Sequence, residues 1–421
     1  MTLLAIVLQI ALEVFSKDPG LSAGSLCGYH PQDTLTTPAP KGYKPFYISH
    51  IARHGSRYIS KSGSECFVVA DSLAFYAEKG LLSEEGLALM KDIRSLHKMS
   101  EGHFGELTEM GAQEHRDICA RMVRHYPEVF SDGNRLHVTA YTTESPRVVA
   151  SMEAFLGELC SREPGLDVTT HESSWKKSGK DAQEVTGYHI HHKDRENYKK
   201  EEKSFSEAGR ALRKGYDLKT FAGRIFSDPS AVGSKTVKFI AKTCFKCLKT
   251  GCVTDPETVP GPGKYFTAGE LYYLWLSGSL SWSRYLRSPG YEDPFTKAYG
   301  GGILEMIEKD ADEALAADSH TAATLRFSHD TYLLPVMASI PLEGTYLECE
   351  ETEVPEYFQD YRYVCPACNV QLIFYRKGTK GKKVLVKFLV NEKETLVHGL
   401  DPVTGVYYDW AAVKKFWSTN N

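Results

Sequence analysis

Surplus charge is the first thing this 421-residue chain lacks: 50 Lys and Arg stand against 54 Asp and Glu, a formal net charge of −4. Nucleic-acid-binding proteins present a net basic surface, so that class is excluded, and any attraction for phosphate must be local. Long apolar runs are missing too. The stretch Thr2 to Phe15 is almost uncharged but too short to span a bilayer comfortably, and it has the length of a signal-peptide core. Residues 1–16 are therefore expected to be a signal segment, and the protein to be secreted or periplasmic. Against this, no basic residue precedes the run and Lys17 follows it, a pattern that suits a buried N-terminal helix instead.

Cysteine is present at 10 residues, which fits an oxidising compartment but falls short of the density of a disulfide scaffold. Cys244-x-x-Cys247 with Cys252, and Cys365-x-x-Cys368, lie much farther apart than the halves of a compact zinc site. Disulfides or inert buried thiols are expected, with the pairing open. His189, His191 and His192 have no carboxylate motif beside them and read as a polar surface or cap rim. No metal, cofactor or protein partner is implied, and there is no internal repeat.

What the chain does have is size and a cationic motif. At 42% hydrophobic it can bury a large core, enough for a catalytic domain with an insertion. The apolar run Phe46 to Ala52 ends in Arg53-His54-Gly55-Ser56-Arg57, a histidine between two permanent cations. Such a cluster repels itself unless an anion joins it. The planar fork of Arg matches phosphate oxygens in pairs, and a neutral imidazole held among such forks can attack phosphorus. The motif suggests a phosphohistidine intermediate.

Alone, Arg-His-Gly is a common surface turn, so two distant segments matter. The alternating run from Arg135 leads to Thr143-Glu144-Ser145-Pro146-Arg147, where Thr143 or Ser145 can cap a helix and Pro146 fits its first turn. Val148, Met152, Phe155 and Leu159 recur at helical spacing and predict its buried stripe. Arg147 then sits among first-turn amides, where an anion is welcome. The second segment, Thr324 to Ser328, is strand-like and ends in His329-Asp330. Three strands thus carry charged or titratable groups at corresponding ends, where ligands bind in open α/β sheets.

These motifs resemble those of the histidine acid phosphatases, within the histidine phosphatase superfamily (branch 2). The family's Arg-His-Gly-x-Arg box is matched by Arg53 to Arg57, its later arginine by Arg147, and its His-Asp box by His329-Asp330. Gly105 to Gly111 is a weaker match, and the resemblance runs from about Pro45 to Asn391. The surroundings of the first box look most like bacterial histidine-type phosphatases and multiple inositol polyphosphate phosphatases. The latter typically carry His-Ala-Glu where this chain has His329-Asp330-Thr331, and phytases usually place Asn where it has Tyr332.

The organisation expected is α/β: a mixed, mainly parallel sheet flanked by helices, formed by residues 17–160 and 321–421, with a mostly helical cap inserted at 161–320. Residues 67–129 read as mostly helical, with Thr108 as a cap and Ala112, His115, Cys119 and Met122 along one core-packing face. Val370–Arg376 and Val384–Val390 flank a lysine-rich tip and predict a hairpin at the sheet edge. Glu270 to Leu276 predicts a buried helix. The charged run Tyr198 to Lys203 reads as a solvated helix face.

The resemblance implies a metal-independent acid phosphomonoesterase in which His54 attacks phosphorus. Arg53, Arg57, Arg147 and His329 would hold the phosphoryl oxygens, and Asp330 would protonate the leaving oxygen and then activate water. With ordinary values of about 3.9 for Asp and about 6.5 for His, and with the surrounding arginines pushing the His value down, the window in which a protonated Asp and a neutral His coexist is acidic, so an acid optimum is expected. The substrate implied is a small polyanionic ester, first an inositol polyphosphate, with cap and hairpin lysines as further contacts. A broad-specificity acid phosphatase is the alternative. A phosphomutase is disfavoured by the Asp in the His-Asp box, and a non-catalytic polyanion-binding protein by the complete set of catalytic side chains.

Overall fold

A computed structural model of the chain describes residues 12–31, 36–131, 133, 136–173, 207, 209–213, 217–255, 260–283, 285–286, 302–316, 318–378, 381 and 383–420. The histidines at 189, 191 and 192 and the run Tyr198 to Lys203 lie outside the described residues. In chain order the principal elements are β1 (Tyr43–Arg53), α1 (Val69–Glu78), α2 (Glu84–Ser100), α3 (Glu109–His125), β2 (His137–Thr143), α4 (Pro146–Arg162), β3 (Asp167–Ser173), α5 (Ser234–Thr254), α6 (Ala268–Ser283) and α7 (Gly302–Leu315). They continue with β4 (Thr321–Ser328), α8 (Asp330–Ser339), β5 (Asn369–Lys377), β6 (Val384–Val390), β7 (Lys393–Thr395), β8 (Tyr408–Asp409) and α9 (Trp410–Asn420).

The strands form one 8-stranded sheet in the order β3-β2-β4-β1-β5-β6-β7, with β8 paired to β6. Strands β1 to β4 run parallel, and β5 to β8 join antiparallel, the mixed arrangement expected. β1 is buried on both faces, which is why it reads as a near-continuous apolar run. Tyr47 and Ile51 face one core with α7, α8 and α9. Ile48 and Ala52 face the other with α3 and α4.

The expected domain boundaries shift in two places. β3 lies inside 161–320 yet pairs along its whole length with β2, because Asp167–Ser173 can extend the parallel edge directly after α4. The helical layer is drawn from two segments, since Leu89, Ile93 and Leu96 of α2 share a core with Val237, Ile240 and Cys244 of α5. α6 is buried from Leu271 to Leu276. Among the described residues no helix is long and apolar enough to cross a membrane. At the described end of the apolar N-terminal stretch, Phe15 is 1% exposed and meets the Trp275 ring edge-on at 5.4 Å.

The hairpin forms as expected, but its described lysines are in the wrong place for substrate. β5 is antiparallel to β1, pairing Asn369 with Ala52 and Lys377 with Tyr43. Lys377 and Lys383, at the described ends of the turn, therefore lie toward the amino end of β1, roughly 30 Å of strand rise from His54. For Lys377 and Lys383 the expectation that hairpin lysines assist in holding a polyanion is overturned by this register.

Candidate active site

The parallel register brings the three motifs together. Arg53 pairs with Ser328 across β1 and β4, and Thr142 with Phe327 across β2 and β4, so the carboxyl ends of all three strands are level. His54 follows β1 directly, and His329-Asp330 joins β4 to α8. Arg147 is the second residue of α4, after Pro146, with Ser145 in the cap position. Neither expected cap makes a side-chain bond there. The Ser145 carbonyl instead accepts the Val148 amide at 2.8 Å, and the predicted stripe of Val148, Met152, Phe155 and Leu159 is buried.

Helix α3 grips the turn after His54 backbone to backbone. A Cβ at Gly111 would lie 2.1 Å from the Ser56 carbonyl oxygen, and one at Gly55 would lie 2.3 Å from the Gly111 carbonyl oxygen. Only two glycines allow this approach. Thr108 caps α3, accepting the Gly111 amide at 3.1 Å, while its own amide donates to the Ser56 carbonyl at 2.9 Å. Glu114 accepts the Ser56 amide and the Ser56 hydroxyl, each at 2.7 Å. From the other side, Ser151 of α4 accepts the Gly55 amide at 3.1 Å.

Two contacts decide the tautomers. His54 Nδ1 lies 2.8 Å from the Gly55 carbonyl oxygen; a carbonyl only accepts, so Nδ1 carries the proton and Nε2 keeps its lone pair. Arg147 donates to His329 Nδ1 at 3.4 Å, which leaves the His329 proton on Nε2 as a donor. The two imidazole centroids are 5.5 Å apart.

Positive charge accumulates here with only partial compensation. His54 is held well below its ordinary range by burial and then by Arg53, Arg147, His329 and Arg57. His329 is pushed down to about 4 by burial and Arg147. Arg57 is lowered to about 10 by burial and its neighbouring arginines. The Asp330 carboxylate faces these groups, and Arg53 holds it at 3.0 Å. Arg53 also donates to the carbonyls of Ser25 and Val364. Arg53 thus has protein partners of its own beside the nucleophile, while Arg57, Arg147 and His329 remain half-buried around His54.

Sequence reasoning passed over Glu114, although it falls on the buried face of α3 at helical spacing between Gly111 and Ile118. It also passed over His50, whereas His115 lies as expected on the core-packing face of α3 with Cys119 and Met122. His50 stacks on Phe155 at 5.3 Å and His115 meets Phe327 edge-on at 5.6 Å, both 0% exposed. Burial pushes each down to about 3. An unfolded chain binds these protons near pH 6.5 and the folded one does not, so stability is full above that pH and falls as the pH drops toward 3. The slope is up to about 1.4 kcal/mol per pH unit for each ring. Urea midpoints between pH 7 and 4 should fall accordingly, and His115→Leu should flatten the slope. An unchanged slope in that variant would contradict the assignment.

Among the described residues no group of three or more His, Cys, Asp or Glu is placed to hold a metal ion.

The sequence matches the model of the histidine phosphatase superfamily (branch 2) over residues 48–391. Among solved structures the chain is similar to a Bifidobacterium longum multiple inositol polyphosphate phosphatase in complex with inositol hexasulfate, at 18% identity over 94% of this chain and 97% of that one, with a TM-score of 0.71. It is similar to a phytase from D. castellii at 14% identity, over 95% and 85% of the two chains, TM-score 0.66. A Hafnia alvei phytase in complex with myo-inositol hexakis sulphate aligns at 10% identity over 91% and 98%, TM-score 0.52. At these identities the likeness is one of fold. No curated protein sequence matches the chain.

Proposed function

The chain belongs to the histidine phosphatase superfamily (branch 2) and is on that ground a phosphoric monoester hydrolase; we propose that it releases phosphate from inositol polyphosphates through a phosphohistidine on His54. The observation that carries this reading is the free Nε2 of His54, held among Arg57, Arg147 and His329 with its proton fixed on the Gly55 side. Nε2 forms a bond to phosphorus in line with the ester oxygen, and the P–O bond breaks. Asp330 gives its proton to the departing alkoxide. Water then attacks phosphorus, Asp330 takes back a proton, and the P–N bond breaks to free His54 and phosphate. Arg57, Arg147 and His329 Nε2–H spread the charge of the transferring group, and Arg53 orients Asp330.

The lowered affinity of His54 for protons keeps it a nucleophile well into acid, so the window in which Asp330 can donate widens downward and the optimum is acidic. Inositol polyphosphates are supported by the fold shared with proteins whose structures hold inositol hexasulfate or myo-inositol hexakis sulphate. The Asp330-Thr331-Tyr332 sequence favours a second reading, a broad-specificity acid phosphatase. Phosphate release from inositol hexakisphosphate and from an aryl phosphate, at acidic pH with a chelator, separates them. A strong preference for the inositol ester supports the first, and equal or better aryl ester turnover replaces it with the second.

Export to an oxidising compartment belongs to the same reading. Cys66 and Cys247 are buried with their sulfurs 2.9 Å apart, one before α1 and the other on α5. Two electrons and two protons passed to an oxidised thiol oxidoreductase would join them and staple the two segments of the helical layer, worth about 2–4 kcal/mol. Non-reducing peptide mapping of protein from a secretory host should recover a Cys66–Cys247 peptide. Recovery of both as alkylated free thiols would count against it.

A further inference from the structure

The turn that carries the nucleophile is anchored to a carboxylate for which the reaction scheme has no use. Glu114 is 8% exposed. Its Oε2 accepts the Ser56 amide at 2.7 Å, and its Oε1 accepts the Ser56 hydroxyl at 2.7 Å and the Tyr29 amide at 3.0 Å. The Ser56 N–H belongs to the same planar peptide unit as the Gly55 carbonyl, and that carbonyl accepts the Nδ1 proton of His54 at 2.8 Å. One rigid peptide therefore has a carboxylate on its N–H side and the catalytic imidazole on its C=O side.

We propose that Glu114 is a positioning residue that acts on His54 through the Gly55–Ser56 peptide. This inference rests on His54 being the nucleophile. The carboxylate fixes the plane of the peptide, and so fixes where the Gly55 oxygen points and how the imidazole is aimed. It also polarises the peptide: a negative acceptor on the N–H draws the N–H dipole and makes the opposite carbonyl a stronger acceptor. A stronger acceptor at Nδ1 raises electron density at Nε2, and it stabilises the positive charge that the ring gains when Nε2 bonds to phosphorus. A carboxylate that orients a histidine normally touches it; here the peptide stands between them.

Several contacts favour the charged form of this carboxylate against its burial. Three donors converge on its two oxygens, a set that an uncharged acid would have to break at one position. Burial is the larger influence and raises its proton affinity above the ordinary carboxylate range, against the pull of the Ser56 hydroxyl, the Ser56 and Tyr29 amides and Arg53. Tyr29 is held at its other end as well, donating its hydroxyl to Glu392 at 2.8 Å. Glu392 is in turn chelated by Arg121.

The test compares Glu114→Gln with wild type in the full chain. Glutamine keeps the shape and removes the charge, so the fold should persist. A positioning residue of this kind should lower kcat by roughly 10- to 100-fold and leave KM within about threefold. The downfield proton resonance of His54 Nδ1–H, identified by its absence in His54→Ala, should move upfield, which loss of packing alone would not produce. Glu114→Asp, which keeps the charge at shorter reach, serves if the glutamine variant does not fold, with the same direction expected for kcat and resonance. A kcat within twofold of wild type, or an unmoved resonance, overturns the proposal. Full turnover in His54→Ala would instead overturn the nucleophile reading, so the two failures are distinguishable.

Discussion

Replacing His54 with alanine is expected to lower phosphate release from any monoester by about 10⁴-fold or more, because the covalent route has no second nucleophile. The neighbouring side chains give no substitute. Arg57 and Arg147 cannot attack phosphorus, and His329 directs its lone pair at Arg147. The change removes an uncharged ring, so the cation cluster keeps its charge. Inorganic phosphate should still bind His54→Ala with an affinity within about tenfold of wild type, and the thermal midpoint should hold. Retained turnover with a lost midpoint would mean that His54 is a core residue and the chemistry lies elsewhere.

Gly111→Ala is expected to have the next largest effect, although residue 111 touches no substrate. The new methyl would sit 2.1 Å from one backbone atom of Ser56 and 2.6 Å from another. Backbone cannot rotate aside as a flexible side chain would, so the turn from His54 to Arg57 must move as a unit. A shift of about 1 Å at a reacting group costs about 10²-fold in rate, and overpacking of this sort costs about 1–3 kcal/mol of stability. Both losses should appear together in kcat and in urea unfolding. Gly157→Ala is the control: an added Cβ there meets nothing within 4 Å, and an exposed helical alanine should stabilise by about 1 kcal/mol. Equal behaviour of the two variants would remove the role assigned to the helix grip.

The motifs were legible because each is short and local, and the sheet register then joins them. Arg53 to Arg57, Arg147 and His329-Asp330 could be assigned from residue chemistry and from their place at strand ends, and the register of β1, β2 and β4 brings them level. The hairpin was legible as a hairpin but not as to its end of the sheet, since that depends on β5 returning alongside β1. β3 was read as part of the cap because nothing in Asp167–Ser173 announces which strand it will join. The protein partners of Arg53 were not legible, because the carbonyls it donates to, at Ser25 and Val364, come from segments with no sequence signal. Glu114 left a trace, an acid on an otherwise buried helical stripe, whose meaning depends on a turn 58 residues earlier in the chain.

The central claim is that phosphorus becomes bonded to His54 during turnover. Steady-state reaction with a phosphate monoester, quenched in alkali where phosphohistidine survives, followed by peptide mapping by mass spectrometry, tests it most directly. The account predicts a phosphoryl group on the peptide containing His54, lost on chasing with unlabelled buffer and missing in His54→Ala. A phosphoryl group on another residue, or turnover with no covalent species in a protein whose His54→Ala variant is equally active, would contradict it.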